Sequence, residues 1–302
     1  MTTYHSPVLL DAVRAAAEGT HRAVDATLGD GGHAAMLRDL GAEVLGIDRD
    51  PEAIARARTR LGEERLRFLH AAYADPAALD AVSLFRPDFI LLDLGVSSRQ
   101  LDDEAMGFTF RRGAPLDMRM SRVGKGAADL LNTAAPDRLE EIFADYGDER
   151  RARRMAAEVV RRRARGPFTT SDDFVNVIRA VLGPRSGPSD FARLFQALRI
   201  AVNDELAGLA LALPEFRAAL PPGGKLAVIS YHSGEDRLVK QSFREWAASC
   251  ICPPGQPICT CRGRPLGRLE PRKPVLPSPA EVAANPRARS ARLRIFQVAD
   301  DI

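Results

Sequence analysis

The sequence predicts an α/β fold, a doubly wound parallel sheet interrupted by a helical insertion. Three observations support this fold class. Short apolar segments alternate with helical patterns from residue 22 to residue 94, as in a parallel sheet with crossover helices. Between residues 104 and 195 no strong strand pattern occurs. Apolar strand patterns resume at residues 225–231 and 292–298.

The residue pattern in the first third of the chain supports the predicted sheet. A short helix is predicted at residues 11–18, and a glycine-rich turn then leads from the first strand into a helix at residue 32. Pro51 stands at the first position of the next helix, where its missing N–H costs nothing. The predicted strands are residues 23–28, 44–48, 66–70 and 89–94.

The middle of the chain is predicted to be helical. Residues 139–164 and 195–213 have helical patterns, and residues 169–172 provide a capping signal for another helix. We therefore predict a sheet domain in two parts, with the insertion between them. The predicted segments are residues 1–104, the helical insertion 105–197, and residues 198–302 with a basic tail.

Composition excludes several classes of protein. The chain of 302 residues is 45% hydrophobic and 27% charged, which is ordinary for a soluble globular protein. We find no run of about 18 apolar residues, so we expect no membrane partner. The N-terminus lacks the basic-then-apolar pattern of a secretory signal. We expect a cytoplasmic protein, with oligomeric state open and a homodimer among its expected forms.

Basic residues are concentrated in two segments. Residues 150–165 include eight arginines, and residues 262–294 include nine basic residues against two acids. Such concentrations suit a phosphate backbone, as in a nucleic acid. A solvated helix face rich in arginine would give the same pattern, so charge alone leaves both interpretations open.

A candidate cofactor pocket lies at the ends of the predicted strands. A turn with Gly29, Gly31 and Gly32 follows the first strand and lets the backbone approach a ligand. Asp48 ends the second strand, where a carboxylate can accept two hydrogen bonds from a ribose diol. Asp25 and Asp93 end two more strands that face the same crevice. The pattern indicates an adenosine-containing cofactor.

Two cofactor classes fit this pocket. A dinucleotide site needs G-x-G-x-x-G, and here Ala34 stands where the third glycine is expected. S-adenosylmethionine carries no phosphates and needs no pyrophosphate-binding third glycine. The glycine spacing therefore favours S-adenosylmethionine over a dinucleotide. A nicotinamide-dependent oxidoreductase remains the alternative enzyme class, and an RNA-binding assembly factor with a vestigial pocket is the non-enzymatic one.

Eleven segments, in order along nearly the whole chain, match one known family. They are HSPVLL at His5, DATLGDGGH at Asp25, GIDRDPEAI at Gly46, LLDLGVSSRQLD at Leu91, GFTFR at Gly107, PLDMRM at Pro115, ADLLN at Ala128, YGDERRARR at Tyr146, FQALRIAVNDEL at Phe195, PGGKLAVISYHSGEDRLVK at Pro222 and NPRARSARLR at Asn285. By these segments the chain resembles the bacterial 16S ribosomal RNA cytosine-N4 methyltransferase family (RsmH/MraW).

This resemblance implies a class I (Rossmann-like) methyltransferase with an inserted helical domain for substrate recognition. It implies S-adenosylmethionine as cofactor and 16S rRNA of the small ribosomal subunit as partner. The substrate would be one cytidine in the decoding region, methylated at its exocyclic amine. The family's cofactor contacts correspond to Gly31, Gly32, His33, Asp48, Tyr73, Asp93 and Gln100.

Two acids are candidates for a catalytic role. The cytosine amine is a poor nucleophile, so an acceptor for its N–H groups would help the reaction. Asp93 could accept from the amine, and this role could overlap with its cofactor contact. Asp117 is the second candidate, although a carboxylate paired with Arg119 or Arg111 explains it equally well.

Two further groups of residues have open roles. His232, Glu235 and Asp236 follow a late strand and would position substrate or support structure. Arg199 and Asn203 lie one turn apart on a helix and could bind phosphate or anchor the insertion.

The four cysteines occur as two C-x-C units, and methyl transfer needs no metal. We assign no metal to this protein, although these paired cysteine units could hold zinc. Reduced thiols in a loop are the alternative for Cys250, Cys252, Cys259 and Cys261.

Overall fold

The computed structural model describes residues 7–121, 123–253, 255–256 and 258–300, so His5 and Ser6 of the first motif lie outside the described residues. Two compact units are present. The first comprises the chain up to residue 95 and from residue 206 on, and the second comprises residues 96–205. The boundaries predicted from sequence, after residues 104 and 197, lie eight to nine residues away, and the later one falls inside a helix of the second unit.

The first unit begins with alternating helices and strands. Its elements up to residue 95 are α1 (Leu10–Ala16), β1 (Arg22–Asp25), α2 (Gly32–Asp39), β2 (Glu43–Asp48), α3 (Pro51–Leu61), β3 (Leu66–His70), α4 (Pro76–Phe85) and β4 (Phe89–Asp93). The helix α4 was not predicted.

The second unit is helical. Its elements are α5 (Ser98–Asp102), a 3₁₀ turn (Glu104–Met106), α6 (Ala127–Thr133), α7 (Pro136–Glu141), a π-helical turn (Ile142–Tyr146), α8 (Ala152–Arg163), α9 (Ser171–Leu182) and α10 (Pro188–Asn203). Among its residues 96–121 and 123–205, strand pairing is limited to a single bridge between Pro115 and Thr170. A separate core, which includes Phe143, Phe174 and Phe195, holds these helices together.

The chain then completes the first unit. Its remaining elements are α11 (Glu205–Ala219), β5 (Lys225–Ser230), α12 (Ser233–Ala247), β6 (Gly267–Leu269), α13 (Pro279–Ala284), a 3₁₀ turn (Pro286–Ser290) and β7 (Arg292–Val298). The short strand β6 was not predicted from the sequence. No helix in the described part of the chain has the length and apolar character needed to span a membrane.

A seven-stranded sheet forms the centre of the first unit. Its strand order is β3-β2-β1-β4-β5-β7-β6. The strands β1 to β5 pair in parallel, whereas β7 runs antiparallel to both of its neighbours. The order reverses between β1 and β4, and an open α/β sheet binds ligands at the carboxyl ends of strands beside such a point. The fold class predicted from the sequence is confirmed, with one antiparallel strand added.

Both faces of the sheet are buried. In β4, Ile90 and Leu92 belong to one core, and Phe89 and Leu91 belong to another. Successive side chains of a strand point to opposite faces, so the uninterrupted apolar sequence of β4 fills both cores. The rigid, doubly covered sheet fixes the positions of the residues at its carboxyl edge.

Two predicted long helices are wrong because the backbone turns inside them. Residues 195–213 were expected to form one helix, but Asp204 adopts a left-handed conformation (φ 51°) and separates α10 from α11. Residues 139–164 divide into α7, a π-helical turn and α8. Asp148, also left-handed (φ 45°), lies between the last two. Aspartate tolerates this conformation better than most residues, so the apolar periodicity did not reveal either break.

Candidate active site

The glycine turn between β1 and α2 is tied to the end of β2. The backbone N–H of Gly29 donates to Asp48 Oδ2 over 2.7 Å, and the N–H of Asp50 donates to Oδ1 over 2.8 Å. Asp48 is therefore held in a fixed orientation while it stays partly exposed. Because each carboxylate oxygen has two lone pairs, acceptor capacity remains for a ligand hydroxyl.

Gly31 and Gly32 have packing reasons to be glycine. Gly31 caps α2 in a left-handed conformation (φ 78°), and a Cβ there would lie 2.7 Å from Cδ1 of Leu61. A Cβ on Gly32 would collide with the ring of Pro7. The turn can thus close tightly against α3 and the N-terminal segment, which leaves its backbone as the surface available to a ligand. Their predicted cofactor contacts remain predictions.

Asp25 and Asp93 end the adjacent strands β1 and β4. The N–H of Asp93 donates to Thr27 Oγ1 over 2.6 Å, and the N–H of Thr27 donates to Asp25 Oδ1 over 3.3 Å. Tyr231, which directly follows β5, donates its hydroxyl proton to Asp93 Oδ1 over 2.8 Å. This network fixes the Asp93 carboxylate, whose side chain is 23% exposed.

Burial makes these acids unusually basic. It raises the pKa of Asp93 to about 7, although the hydrogen bond from Tyr231 opposes the shift. It also raises the pKa of Asp25 to about 6, where the N–H of Thr27 opposes the shift and the negative charges of Asp93 and Asp48 add to it. Burial also raises the pKa of Asp48. The three acids end the neighbouring strands β2, β1 and β4, so the fold places them along one edge of the sheet.

His33 lies at the start of α2 within the same cluster. Its Nε2 is 3.0 Å from the carbonyl oxygen of Val8, and its Nδ1 is 3.8 Å from Asp93 Oδ2. Burial lowers the pKa of His33, so the ring is neutral at physiological pH. Tyr73, three residues after β3, is half-buried against the core of the first unit.

The other two predicted residues belong to the second unit. Gln100 forms a capping box at α5, because its side-chain oxygen accepts from Ser97 N–H and its own N–H donates to Ser97 Oγ. Asp117 accepts from Nε and Nη2 of Arg119, each over 2.7 Å. That bidentate pair is the alternative that the sequence had left open for Asp117.

Sequence reasoning missed Thr27 and Tyr231 as parts of the site. A signal for Tyr231 was present, since it follows β5, and β5 pairs in parallel with β4 so that Asp93 lies opposite Ile229. Glu235 accepts from the N–H of Tyr231 over 2.9 Å and steadies the tyrosine. Of the two roles left open for Glu235, this contact supports the structural one.

The charge of the cluster selects between cofactor classes. Three carboxylates at one sheet edge repel a pyrophosphate, whereas they attract a sulfonium cation. A neutral His33 at the start of α2 provides no compensating positive charge for phosphate. The fixed acceptor Asp48 also suits a ribose diol. The residues present therefore fit S-adenosylmethionine and oppose a dinucleotide.

Comparison with known proteins decides the family. The model of the MraW methylase family matches residues 2–299. The chain belongs to the MraW methylase family. It is 57% identical over 302 residues to "Ribosomal RNA small subunit methyltransferase H" of Gemmatimonas aurantiaca, covering 98% of this chain and 96% of the relative. The protein of the same name from Rubrobacter xylanophilus is 48% identical over 308 residues, covering 98% and 96%.

A solved methyltransferase of Streptococcus mutans in complex with SAH is also similar to this MraW methylase. The identity is 10%, with 98% of this chain and 99% of that chain covered, and the TM-score is 0.42. Family membership confirms two expectations from the sequence: the enzyme is a methyltransferase, and its cofactor is S-adenosylmethionine.

Proposed function

We propose that this methylase transfers a methyl group to the exocyclic N4 amine of one cytidine in the decoding region of 16S rRNA. The names of its relatives support a small-subunit ribosomal RNA as substrate. The observation that carries the proposal is the cluster of Asp25, Asp48 and Asp93 at the carboxyl edge of the sheet, with its negative charge and its fixed acceptors.

Methyl transfer needs alignment more than covalent help from the protein. When bound, S-adenosylmethionine supplies a methyl carbon that its sulfonium has already activated. The cytosine N4 would accept the methyl group, sulfur would keep the electron pair of the broken carbon–sulfur bond, and N4 would release one proton. An acceptor near N4 lowers the barrier by holding the N–H and then taking this proton.

We propose Asp93 as that acceptor. Its pKa, raised by burial to about 7, matches the proton-transfer task better than an ordinary aspartate would. Tyr231 occupies Oδ1, so Oδ2 keeps its lone pairs for the amine. Asp117 is a weaker candidate, because its carboxylate is already engaged by Arg119, and we propose that it positions this arginine.

The second unit is the proposed RNA-binding domain. In and around α8, Arg151 donates to the carbonyl of Val181, Arg163 donates to Ala134, and Arg161 and Arg162 pair with Glu158. These four arginines therefore support the structure. The remaining ones are exposed and suited to phosphates: Arg150, Arg153, Arg154 and Arg165.

Removing exposed arginines should weaken RNA binding. In the triple variant Arg153→Gln, Arg154→Gln, Arg165→Gln, we expect RNA affinity to fall at least about 10-fold and the slope of log K against log[salt] to drop by about 2, at roughly 0.7 per lost phosphate contact. Filter binding across a salt series measures both quantities. Affinity for S-adenosylmethionine should not change.

The matched control removes the same charge from exposed arginines of the first unit: Arg14, Arg237 and Arg244. Their triple glutamine variant should keep most of the RNA affinity and slope. Equal losses in both variants would show that net charge alone attracts the RNA and would contradict a dedicated surface on the second unit.

Mass mapping of small-subunit RNA tests the proposed function directly. RNA from cells that lack the gene should lose one methyl group on a decoding-region cytidine, and purified enzyme with S-adenosylmethionine should restore it. An unchanged RNA mass would exclude the proposal. The compartment that we propose, a reducing cytoplasm, and the homodimer expected from the sequence are checked by fractionation and by analytical ultracentrifugation.

A further inference from the structure

The segment between α12 and β6 brings all four cysteines together. Cys259 Sγ lies 3.9 Å from Cys252 Sγ, 3.8 Å from Cys250 Sγ and 3.5 Å from Cys261 Sγ. The Sγ atoms of Cys261 and Cys250 are 3.8 Å apart, and all four Sγ atoms lie within 4.8 Å of one another. All four are free thiols. Two C-x-C units that are separate in sequence thus converge on one point.

These separations match a metal tetrahedron. Zinc binds thiolate sulfur at about 2.3 Å with tetrahedral geometry, so neighbouring sulfurs of a four-cysteine site are about 3.8 Å apart. Four of the six sulfur–sulfur separations lie between 3.5 and 3.9 Å and span this value, and the other two lie within 4.8 Å. All four cysteines are exposed or half-exposed and belong to none of the apolar cores, so hydrophobic packing does not explain why their sulfurs converge.

A backbone donor also faces one of the sulfurs. The N–H of Ile251 donates to Cys261 Sγ over 3.3 Å. Hydrogen bonds of this kind stabilise thiolates, which are the form that binds metal.

We propose that Cys250, Cys252, Cys259 and Cys261 bind one Zn²⁺ in a closed, structural site. Four protein ligands leave no open coordination position, so the metal takes no part in methyl transfer. Soft thiolate ligands in tetrahedral geometry select zinc over the hard cations magnesium and calcium.

The site holds a basic segment in place. Arg262, the residue after the last ligand, donates to the carbonyls of Glu245 and Ala248 at the end of α12. Leu266 N–H donates to the carbonyl of Trp246 over 2.8 Å. With zinc bound, the loop that follows α12 is closed at its base, and the exposed Arg264 and Arg268 are presented from a fixed backbone.

Metal analysis of the full-length enzyme tests the proposal. Protein purified under reducing conditions without chelators should contain about one zinc per chain. Exchange with Co²⁺ should produce the visible absorption of a tetrahedral thiolate complex. Protein without metal that also takes up neither zinc nor Co²⁺ would leave four reduced thiols and overturn the site, and iron at the same stoichiometry would overturn the assignment to zinc.

Variants separate the ligands from their neighbours. The double variant Cys250→Ser, Cys252→Ser should lose the bound zinc, whereas Ile251→Ser, a change between these two cysteines at a half-exposed side chain, should retain it. If the cysteine variant fails to fold, chelation of the wild-type enzyme replaces it. Removal of zinc should then speed proteolysis between residues 250 and 273 and leave the affinity for S-adenosylmethionine unchanged. Unaltered proteolysis would contradict the structural role.

Discussion

Replacing Asp93 with asparagine is expected to lower kcat/KM for RNA methylation by about 10²–10³-fold. The asparagine side chain has nearly the same shape and can still accept from Tyr231, so the fold should persist. It cannot take a proton, and it removes one of the three negative charges that attract a sulfonium. Single-turnover transfer of labelled methyl groups measures the rate of the chemical step without interference from product release.

The pH dependence of binding identifies the charge involved. Asp93 and Asp25, with pKa values raised by burial to about 7 and about 6, become protonated as the pH falls, and the site then loses its attraction for a cation. We expect the affinity for S-adenosylmethionine, measured by calorimetry, to fall as the pH is lowered through about 7 and again through about 6. The first decrease should be missing in Asp93→Asn.

Stability without cofactor should show the opposite trend. The folded-state pKa of Asp93 lies above the ordinary value of 3.8, so the folded protein binds more protons than the unfolded chain between these two pH values. The contribution of Asp93 to the free energy of unfolding therefore decreases as the pH rises through about 7. Asp93→Asn should flatten this decrease, and a wild-type profile in the variant would contradict the raised pKa.

Asp88 provides a matched control at the opposite end of the same strand. Its carboxylate accepts from the N–H groups of His21 and Arg22 over 2.9 and 3.1 Å, at the amino end of β4. Asp88→Asn should therefore lower stability modestly and leave methyl transfer unchanged. Equal activity losses in the two variants would indicate damage to the sheet and would exclude a specific role for Asp93.

Replacing Asp236 with alanine is expected to reduce the free energy of unfolding by about 3–5 kcal/mol. Asp236 accepts from Nε and Nη2 of Arg294, and Arg294 is 7% exposed. Without the carboxylate, a buried guanidinium would keep its charge with no partner, and the nearby Arg292 would repel it. Urea denaturation at neutral pH, with the slope checked for two-state behaviour, measures the loss.

Two controls isolate the free-energy cost of leaving the buried Arg294 charged and unpaired. The double variant Asp236→Leu, Arg294→Met removes both charges and should recover much of the stability. Glu270→Ala breaks an equally short but exposed pair with Arg268 and should change stability little. If Asp236→Ala lowered the free energy of unfolding as little as Glu270→Ala does, the buried ion pair would contribute no more to stability than an exposed one.

Acid should weaken the same pair. Burial acts to raise the pKa of Asp236, but the hydrogen bonds and positive charge of Arg294 outweigh it and hold the pKa below 3.8. A carboxylate with a depressed folded-state pKa contributes stability above its unfolded value, and this contribution is lost as the pH falls through the folded one. The wild type should therefore lose more stability in acid than Asp236→Leu, Arg294→Met does.

Local chemistry made much of the site predictable. The strands at residues 66–70 and 292–298 agree with their predicted bounds, because their residue patterns and turn signals are local. The acids Asp25, Asp48 and Asp93 could be placed at one edge because parallel strands end on the same side of a sheet. The breaks at Asp148 and Asp204 were missed, since each depends on one residue in a left-handed conformation that periodicity does not detect.

By itself the sequence determined the sheet, the insertion and the family, and it predicted where the acids of the candidate site would lie. Tertiary structure alone decided which side chains meet: Tyr231 with Asp93, Asp236 with Arg294, and four sulfurs at one point. The residues of the first pair are 138 positions apart in the sequence, and those of the second pair are 58 apart. Residue patterns reflect the preferences of neighbours along the chain, whereas such pairs depend on strand order and on register between distant segments, which exist only once the sheet has formed.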